Sequence, residues 1–150
     1  MNSKLNSIVN KIIEYHLKNK RYKYSVQSPV IIDDGEVLNI LPKELRDFYL
    51  ICNGATFYNY RDLDGYEFYS IEDLSKIDRQ IRDTYHEGYD KNKIVFCGIL
   101  GEGNYIAIDS VGNIYDGFHE YDPISWPIIE TSFTEWLEKL YENKGGKYWL

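Results

Sequence analysis

One helix in the middle of the chain has both of its ends specified by the sequence. Pro42 suits the first helical position, where a missing N–H costs nothing and the backbone φ is already set. Leu45, Phe48 and Tyr49 follow at three- and four-residue spacing, the pattern of a helix with one apolar face. Asn53-Gly54 then supplies a left-handed stop. The stretch is therefore predicted to be a short helix that packs against a core.

Two later stretches carry equally plain signals. Ser132 and Glu135 have the spacing of a capping box, and they open a helix that is predicted to run to about Asn143. Residues 101–104, Gly-Glu-Gly-Asn, read as a tight turn into a short buried strand over residues 105–109. Both stretches have a structural role in this interpretation.

Apolar periodicity and turn residues predict the remaining elements. Ser3 can cap a first helix, and a further helix is expected from Ser70 to about Tyr85. The other predicted segments are strands at 56–58, 66–69, 94–97 and 114–118, an edge strand at 126–129 and a loose tail at Gly145-Gly146. Helices, then clustered strands, then a helix favour an α+β fold with a largely antiparallel sheet over repeated β-α-β units.

Composition limits the class of protein. The 150 residues are 43% hydrophobic and are expected to form one folded domain over 1–150, and no apolar run approaches the roughly 20 residues of a membrane span. Lys4 and Lys11 interrupt what would be the apolar core of a signal peptide. We therefore expect a cytoplasmic protein, with Cys52 and Cys97 buried as reduced thiols.

Charge is distributed unevenly along the chain. Residues 1–23 hold six Lys or Arg and one acid, whereas residues 24–150 hold 11 Lys or Arg and 23 acids. An acidic globule is repelled by phosphate backbones, so neither direct nucleic-acid binding nor membrane binding is expected. The basic N-terminal helix is interpreted as a solvated lysine face; contact with nucleic acid or an anionic membrane is the alternative.

The motifs that could carry chemistry have simpler structural explanations. The glycine-rich stretch 98–103 matches neither nucleotide-binding fingerprint, because a strand follows it and no Gly-Lys-Ser/Thr is present. Residues 62–65 resemble part of a calcium loop, but acids are missing at the first and last ligand positions. His16, His86 and His119 fall on separate elements without metal-site spacing. No catalytic residue, metal or cofactor is predicted, and the chain is not expected to be an enzyme.

An acidic surface interleaved with tyrosines is the best candidate for a binding face. Tyrosine is a preferred interface anchor, and carboxylates around it would attract a basic partner. The alternative is that these tyrosines only fill half-exposed sheet faces. The predicted partner-binding residues are Asp62, Asp64, Tyr66, Glu67, Glu102, Tyr105, Tyr115, Asp116, Glu120, Tyr121 and Asp122. Four helix acids are expected to face only water: Glu44, Asp47, Glu138 and Glu142.

The order of these motifs resembles the SUKH superfamily, the bacterial immunity proteins related to the fungal Smi–Knr cell-wall regulators. The matching elements are Leu41-Pro42, Asn53-Gly54, the helix start at 70–74, the turn and strand at 101–108, and Ser132-Phe133. The resemblance covers about residues 30–141. One departure is the helix ahead of Leu41, which is usually longer and here has only about 33–38 available.

The resemblance implies a fold, a role and a partner. The fold is a curved, largely antiparallel sheet packed against N-terminal, middle and C-terminal helices. The role is that of an immunity protein, or antitoxin, that binds a cognate toxin C-terminal domain, often a nuclease, and occludes its basic active-site cleft. The alternative role is an intracellular regulatory scaffold of the Smi–Knr type with several protein partners.

Overall fold

The computed structural model describes residues 2–30, 35–61 and 64–150. This part of the chain forms five α-helices and seven β-strands. The helices are α1 (Ser3–Lys18), α2 (Gly35–Ile40), α3 (Lys43–Ile51), α4 (Ile71–Tyr85) and α5 (Phe133–Glu142). The strands are β1 (Lys23–Val26), β2 (Ala55–Asn59), β3 (Tyr66–Phe68), β4 (Lys93–Ile99), β5 (Asn104–Asp109), β6 (Ile114–Gly117) and β7 (Ile128–Glu130).

The seven strands form one antiparallel sheet in chain order, from β1 to β7. Each strand therefore pairs with its neighbour in sequence, as Ala55 pairs with Phe68 between β2 and β3. The register shifts between Val95 and Cys97 in β4, and irregularities of this kind bend a strand and increase its twist. The predicted α+β class with a curved, antiparallel sheet is confirmed.

Helices cover both faces of the sheet because side chains alternate along each strand. Phe96, Ile106 and Ile108 point to the face that carries α1, α3 and α5, whereas Val95 and Ala107 point to the face that carries α4. The helices contribute fully buried side chains to the first face, among them Leu5, Ile12, Phe48, Trp136 and Leu140. Trp126 and Ile81 complete the smaller core on the α4 face.

The ends of the helices differ from the prediction in their details. Pro42 precedes α3 as its N-cap residue with ψ of 147°, so it stands just outside the first turn. Asn2, and not Ser3, caps α1, since its side chain accepts from the Leu5 N–H at 3.1 Å. Gly54 has the expected positive φ of 96°. The side chain of the preceding residue, Asn53, forms its hydrogen bonds with a different helix, α4.

Asn53 caps the N-terminus of α4. Its side-chain oxygen accepts from the Ile71 N–H at 2.8 Å, and its amide group donates to the Glu72 carboxylate at 2.8 Å. Ser70 occupies the N-cap position but makes no side-chain capping bond. The chain has already left α3 before this motif, since Cys52 is extended with φ of −154° and ψ of 141°. The prediction that Asn53-Gly54 supplies the left-handed stop of α3 is therefore wrong, and Asn53 instead starts α4.

The segment after α5 is packed, and the prediction of a loose tail at Gly145-Gly146 is wrong. The Gly145 N–H donates to the Leu140 carbonyl at 2.8 Å, and the Tyr66 hydroxyl donates to the Gly145 carbonyl at 2.9 Å. Farther along, the Tyr148 hydroxyl donates to Glu130 at 3.0 Å. These bonds tie the tail across the sheet between β3 and β7.

Cys52 and Cys97 are free and fully buried, as predicted. Burial raises the pKa of the Cys52 thiol to about 12 and raises that of Cys97 well above its usual value. Both sulfurs therefore stay protonated at neutral pH and act as apolar core groups.

Candidate partner-binding surface

The predicted site residues lie in three places on the molecule. Asp64, Tyr66 and Glu102 line a cleft at one rim of the sheet, which we call the rim cleft. Glu67, Tyr105, Tyr115 and Asp116 lie on strands, and Glu120, Tyr121 and Asp122 lie in the connection between β6 and β7. Asp62 lies outside the described residues.

The β6–β7 loop, residues 118–127, is held in place by bonds to its backbone carbonyls. The indole N–H of Trp126 donates to the carbonyls of Phe118 at 3.0 Å and Tyr121 at 2.9 Å. From outside the loop, the Tyr85 hydroxyl donates to the carbonyl of His119 at 2.5 Å. These three donor contacts fix the loop between the sheet and α4.

A fourth bond holds the far end of the loop. The Lys93 ammonium donates to the Pro123 carbonyl at 2.5 Å and lies 4.4 Å from the centre of the Tyr115 ring. Asp90 pairs with the same ammonium at 3.3 Å, so this buried cation has a carboxylate partner. A loop anchored in this way loses little conformational entropy when a partner binds it.

The outer side of this loop combines apolar groups with carboxylates. Tyr121 is 60% exposed and Ile124 is 57% exposed, while Glu120 and Asp122 beside them are also exposed. The surrounding sequence, residues 109–135, contains six acids and no Lys or Arg. An aromatic anchor among carboxylates suits a basic partner surface.

Three of the predicted tyrosines have their hydroxyls or rings committed inside the protein. Tyr66 is buried and bonds to Gly145. The Tyr115 hydroxyl donates to Asp109 at 2.8 Å, and burial together with this carboxylate raises the pKa of Tyr115 to about 12. Tyr105 packs beside Trp126, with ring centres 6.4 Å apart. These three side chains pack beneath the surface, and Tyr121 is the exposed one of the four predicted tyrosines.

The strand acids are divided between the two faces of the sheet. Glu67 is exposed on the α4 side, whereas Asp116 is half-buried and its pKa is raised by burial. Glu67 lines a second cleft of about 430 Å³ together with Glu72 and Asp73. The described residues around this cleft include no Lys or Arg. The sequence analysis missed Glu72 and Asp73, because only folding brings the start of α4 beside β3.

One expectation about the helix acids is wrong. Glu44 does not face only water: its carboxylate accepts from the Ser132 hydroxyl and from the Thr134 N–H, each at 3.0 Å. Asp47 pairs with Lys43 at 2.8 Å and Glu138 pairs with Lys4 at 3.5 Å, both as surface ion pairs. Glu142 is exposed, as expected.

No group of three or more His, Cys, Asp or Glu side chains suited to a metal ion occurs in residues 2–30, 35–61 and 64–150. His16 is buried in α1, and His86 and His119 are exposed on other elements, as the sequence predicts. In the same ranges, no helix is long and apolar enough to cross a membrane.

Two comparisons relate this fold to known proteins. The model of the SMI1 / KNR4 family (SUKH-1) matches residues 36–139. Immunity protein YokJ of Bacillus subtilis (strain 168) is similar to this chain, with 31% identity over 117 residues that cover 73% of this chain and 70% of YokJ. The chain belongs to the SMI1/KNR4 family (SUKH-1).

The structure explains why the SMI1/KNR4 motifs recur in this chain as they do. Asn53 of the Asn-Gly motif caps α4, and Ser132 of the Ser-Phe motif accepts from the Glu135 N–H at 3.2 Å and so caps α5. Phe133 is fully buried next to Phe48, with ring centres 5.4 Å apart. These motifs therefore build the scaffold of the fold.

Proposed function

We propose that this protein is a cytoplasmic immunity protein that binds a cognate toxin domain and blocks its active site. Membership of the SMI1/KNR4 family and similarity to a protein named as an immunity protein support this role. The observation that carries the proposal is the anchored β6–β7 loop, which exposes Tyr121 and Ile124 between carboxylates.

The charge of the surface indicates a nuclease as the toxin. A nuclease must hold phosphates in a basic cleft, and this chain has a net charge of −7 with its acids concentrated outside the N-terminal helix. Glu120 and Asp122 would pair with cations of that cleft, while the Tyr121 ring would supply apolar contact area. Inhibition would follow from occlusion and would require no chemical step.

The acidic cleft beside β3 gives the interface a second region. Glu67, Glu72 and Asp73 converge there, and the Asn53 amide lowers the pKa of Glu72 by donating to its carboxylate. A carboxylate already organised by a hydrogen bond stays ionised and is ready to receive a Lys or Arg of the partner.

Co-expression with the toxin encoded by the adjacent gene tests the proposal. The chain should restore growth of cells that produce the toxin and should co-purify with the toxin domain. Tyr121→Ala and Asp122→Asn should weaken both effects. Val111→Ala and Glu142→Gln are the matched controls, because Val111 is 78% exposed and both lie outside the β6–β7 loop.

The outcomes separate the proposal from its alternative. Failure of the unaltered chain to rescue or to bind the toxin would contradict the immunity role. Binding to several cellular proteins without rescue would favour a regulatory scaffold. Rescue that Tyr121→Ala leaves intact would keep the immunity role and move the interface away from the loop.

A further inference from the structure

The rim cleft has a volume of about 560 Å³, within the range of small-ligand sites. It forms where distant segments of the chain meet. Arg21 and Tyr22 come from the turn after α1, Tyr58 and Tyr60 from the end of β2, and Lys144 from the tail after α5. None of its lining residues belongs to the β6–β7 loop.

The described residues that line the rim cleft carry a net positive charge, although the chain as a whole is acidic. They include three cations, Arg21, Lys144 and Lys147, and two carboxylates, Asp64 and Glu102. Lys147 and Glu102 form an ion pair with each other. Arg21 and Lys144 pair with no carboxylate of the described residues. Their contacts are with aromatic rings: the Arg21 guanidinium lies 5.1 Å from the centre of the Tyr22 ring, and the Lys144 ammonium lies 4.8 Å and 4.1 Å from the ring centres of Tyr15 and Tyr141. Neither charge is neutralised by a described carboxylate, so both can attract an anion.

Backbone strain is concentrated around the same cleft. Outside glycine, four described residues have positive φ: Tyr58 at 59°, Arg61 at 55°, His86 at 53° and Lys144 at 51°. Two of them line the cleft, and the Arg61 guanidinium lies 5.2 Å from the ring centre of Tyr60, which lines it too. Strained backbone of this kind clusters at ligand sites.

Tyr58 also leaves a polar group unsatisfied. Its side chain is 3% exposed, and its hydroxyl has no hydrogen-bond partner among the described residues. Gly145 allows the tail to close on this ring, since an added Cβ would lie 2.6 Å from Tyr58 Cγ. A buried hydroxyl without a partner is uncommon, and this one belongs to a residue that lines the cleft.

We propose that the rim cleft binds a small phosphorylated molecule that carries a planar ring, a nucleoside monophosphate being the simplest case. Arg21 and Lys144 would hold the phosphate, and the planar group would stack on Tyr22 or Tyr60, whose rings contact each other edge to face with centres 6.1 Å apart. The volume exceeds what a phosphate alone would fill, and the two cations disfavour a neutral ligand. The rim cleft shares no lining residue with the β6–β7 loop or with the cleft beside β3, the two regions of the proposed toxin interface.

An NMR titration of the full chain with AMP and with UMP at low ionic strength tests the site directly. Amide signals of Gly65, Gly145 and Gly146, which line the cleft, should shift in a saturable manner. The signal of Gly112, in the turn between β5 and β6, should stay in place. Absence of saturable shifts at the cleft glycines with both nucleotides would overturn the proposal.

Ligands that lack either the phosphate or the base, and variants of the cleft, test the phosphate contact and the ring contact separately. Adenosine and ribose 5-phosphate should each bind more weakly than AMP; equal binding of ribose 5-phosphate would rule out the aromatic contribution. Replacing both of these cations, in an R21Q/K144Q variant, should weaken AMP binding by about tenfold or more. The control K11Q/K91Q removes two exposed lysines elsewhere and should change nothing. An unchanged affinity in R21Q/K144Q would refute the proposed phosphate contact.

Discussion

Glu44 of α3 and Ser132, the N-cap of α5, are joined by a hydrogen bond of 3.0 Å from the serine hydroxyl to the carboxylate. The same carboxylate accepts from the Thr134 N–H, one of the amides that an isolated helix leaves without a partner. The negative charge also lies at the positive end of the α5 dipole. An acid 88 residues earlier in the chain thus stabilises the start of the C-terminal helix.

Removal of this acid should therefore destabilise the fold. Glu44→Ala is expected to lower the free energy of unfolding by about 1 to 3 kcal/mol, because the Thr134 N–H loses its acceptor. Asp47→Ala, which removes a surface ion pair from the same helix, should cost about 0.5 kcal/mol. Urea unfolding of both variants makes the comparison. Equal losses would show that Glu44 contributes only as a surface charge.

Ser132→Ala should destabilise the protein by about 1 kcal/mol through loss of the α5 cap. The remaining folded protein should bind its partner with unchanged affinity, since the motif is structural. Thermal unfolding and calorimetric binding measure the two effects separately. A variant with the original melting temperature and lost binding would place Ser132 in the interface.

Asn53→Ala should cost about 1 kcal/mol, because the side chain caps α4 through the Ile71 N–H. Asn53→Asp keeps the acceptor but replaces the donor to Glu72 with a second negative charge. Its stability should therefore lie between that of the unaltered protein and that of Asn53→Ala. Denaturant unfolding ranks the three proteins. A stability of Asn53→Asp below that of Asn53→Ala would mean that repulsion by Glu72 outweighs the cap.

The stability should fall on acidification through His16. Burial lowers the pKa of His16 to about 4, and its Nε2 accepts from the Tyr58 N–H at 3.1 Å. Between the unfolded pKa of about 6.5 and the folded value, the unfolded chain binds the extra proton. This group should therefore remove about 3 kcal/mol of stability as the pH falls from 6.5 to 4, and no more below that.

His16→Gln keeps a side-chain acceptor and should flatten the stability profile in that pH window. Asn10→Gln, at an exposed position of the same helix, is the control and should follow the unaltered protein. Urea unfolding at a series of pH values gives the profiles. A slope in His16→Gln equal to that of the control would assign the acid sensitivity to other groups.

The interface itself should be most sensitive at the β6–β7 loop. Tyr121→Ala and Asp122→Asn are expected to weaken toxin binding by a few kcal/mol, because exposed anchors on a fixed loop dominate interfaces. Asp47→Asn and Glu142→Gln, on helices, should change it by well under 1 kcal/mol. Calorimetry, with folding checked by circular dichroism, provides both values. Larger losses from the helix acids would place the binding face on the helices.

Local signals in the sequence specified most of the helices and strands. Proline and capping residues marked the helices, and alternation with turn residues marked most of the strands. Short connections account for the antiparallel pairing of β2 with β3 and of β4, β5 and β6, whereas β1–β2 and β3–β4 are joined through helices. The resemblance to the SUKH superfamily rested on the same signals. The sequence predicted the candidate site only as a group of acids and tyrosines. In the structure these residues lie in the rim cleft, on strands at both faces of the sheet, and in one loop.

Sequence alone determined most of the helices and strands, though not β1, and it determined the acidic net charge, because caps, apolar periods and charge are properties of neighbouring residues. Tertiary structure decided which acid caps α5, why His16 is neutral, and which tyrosine is exposed. It also decided that the basic N-terminal turn and the tail meet in one cleft. Each of these depends on groups far apart in the chain, whose contacts exist only after the core has packed.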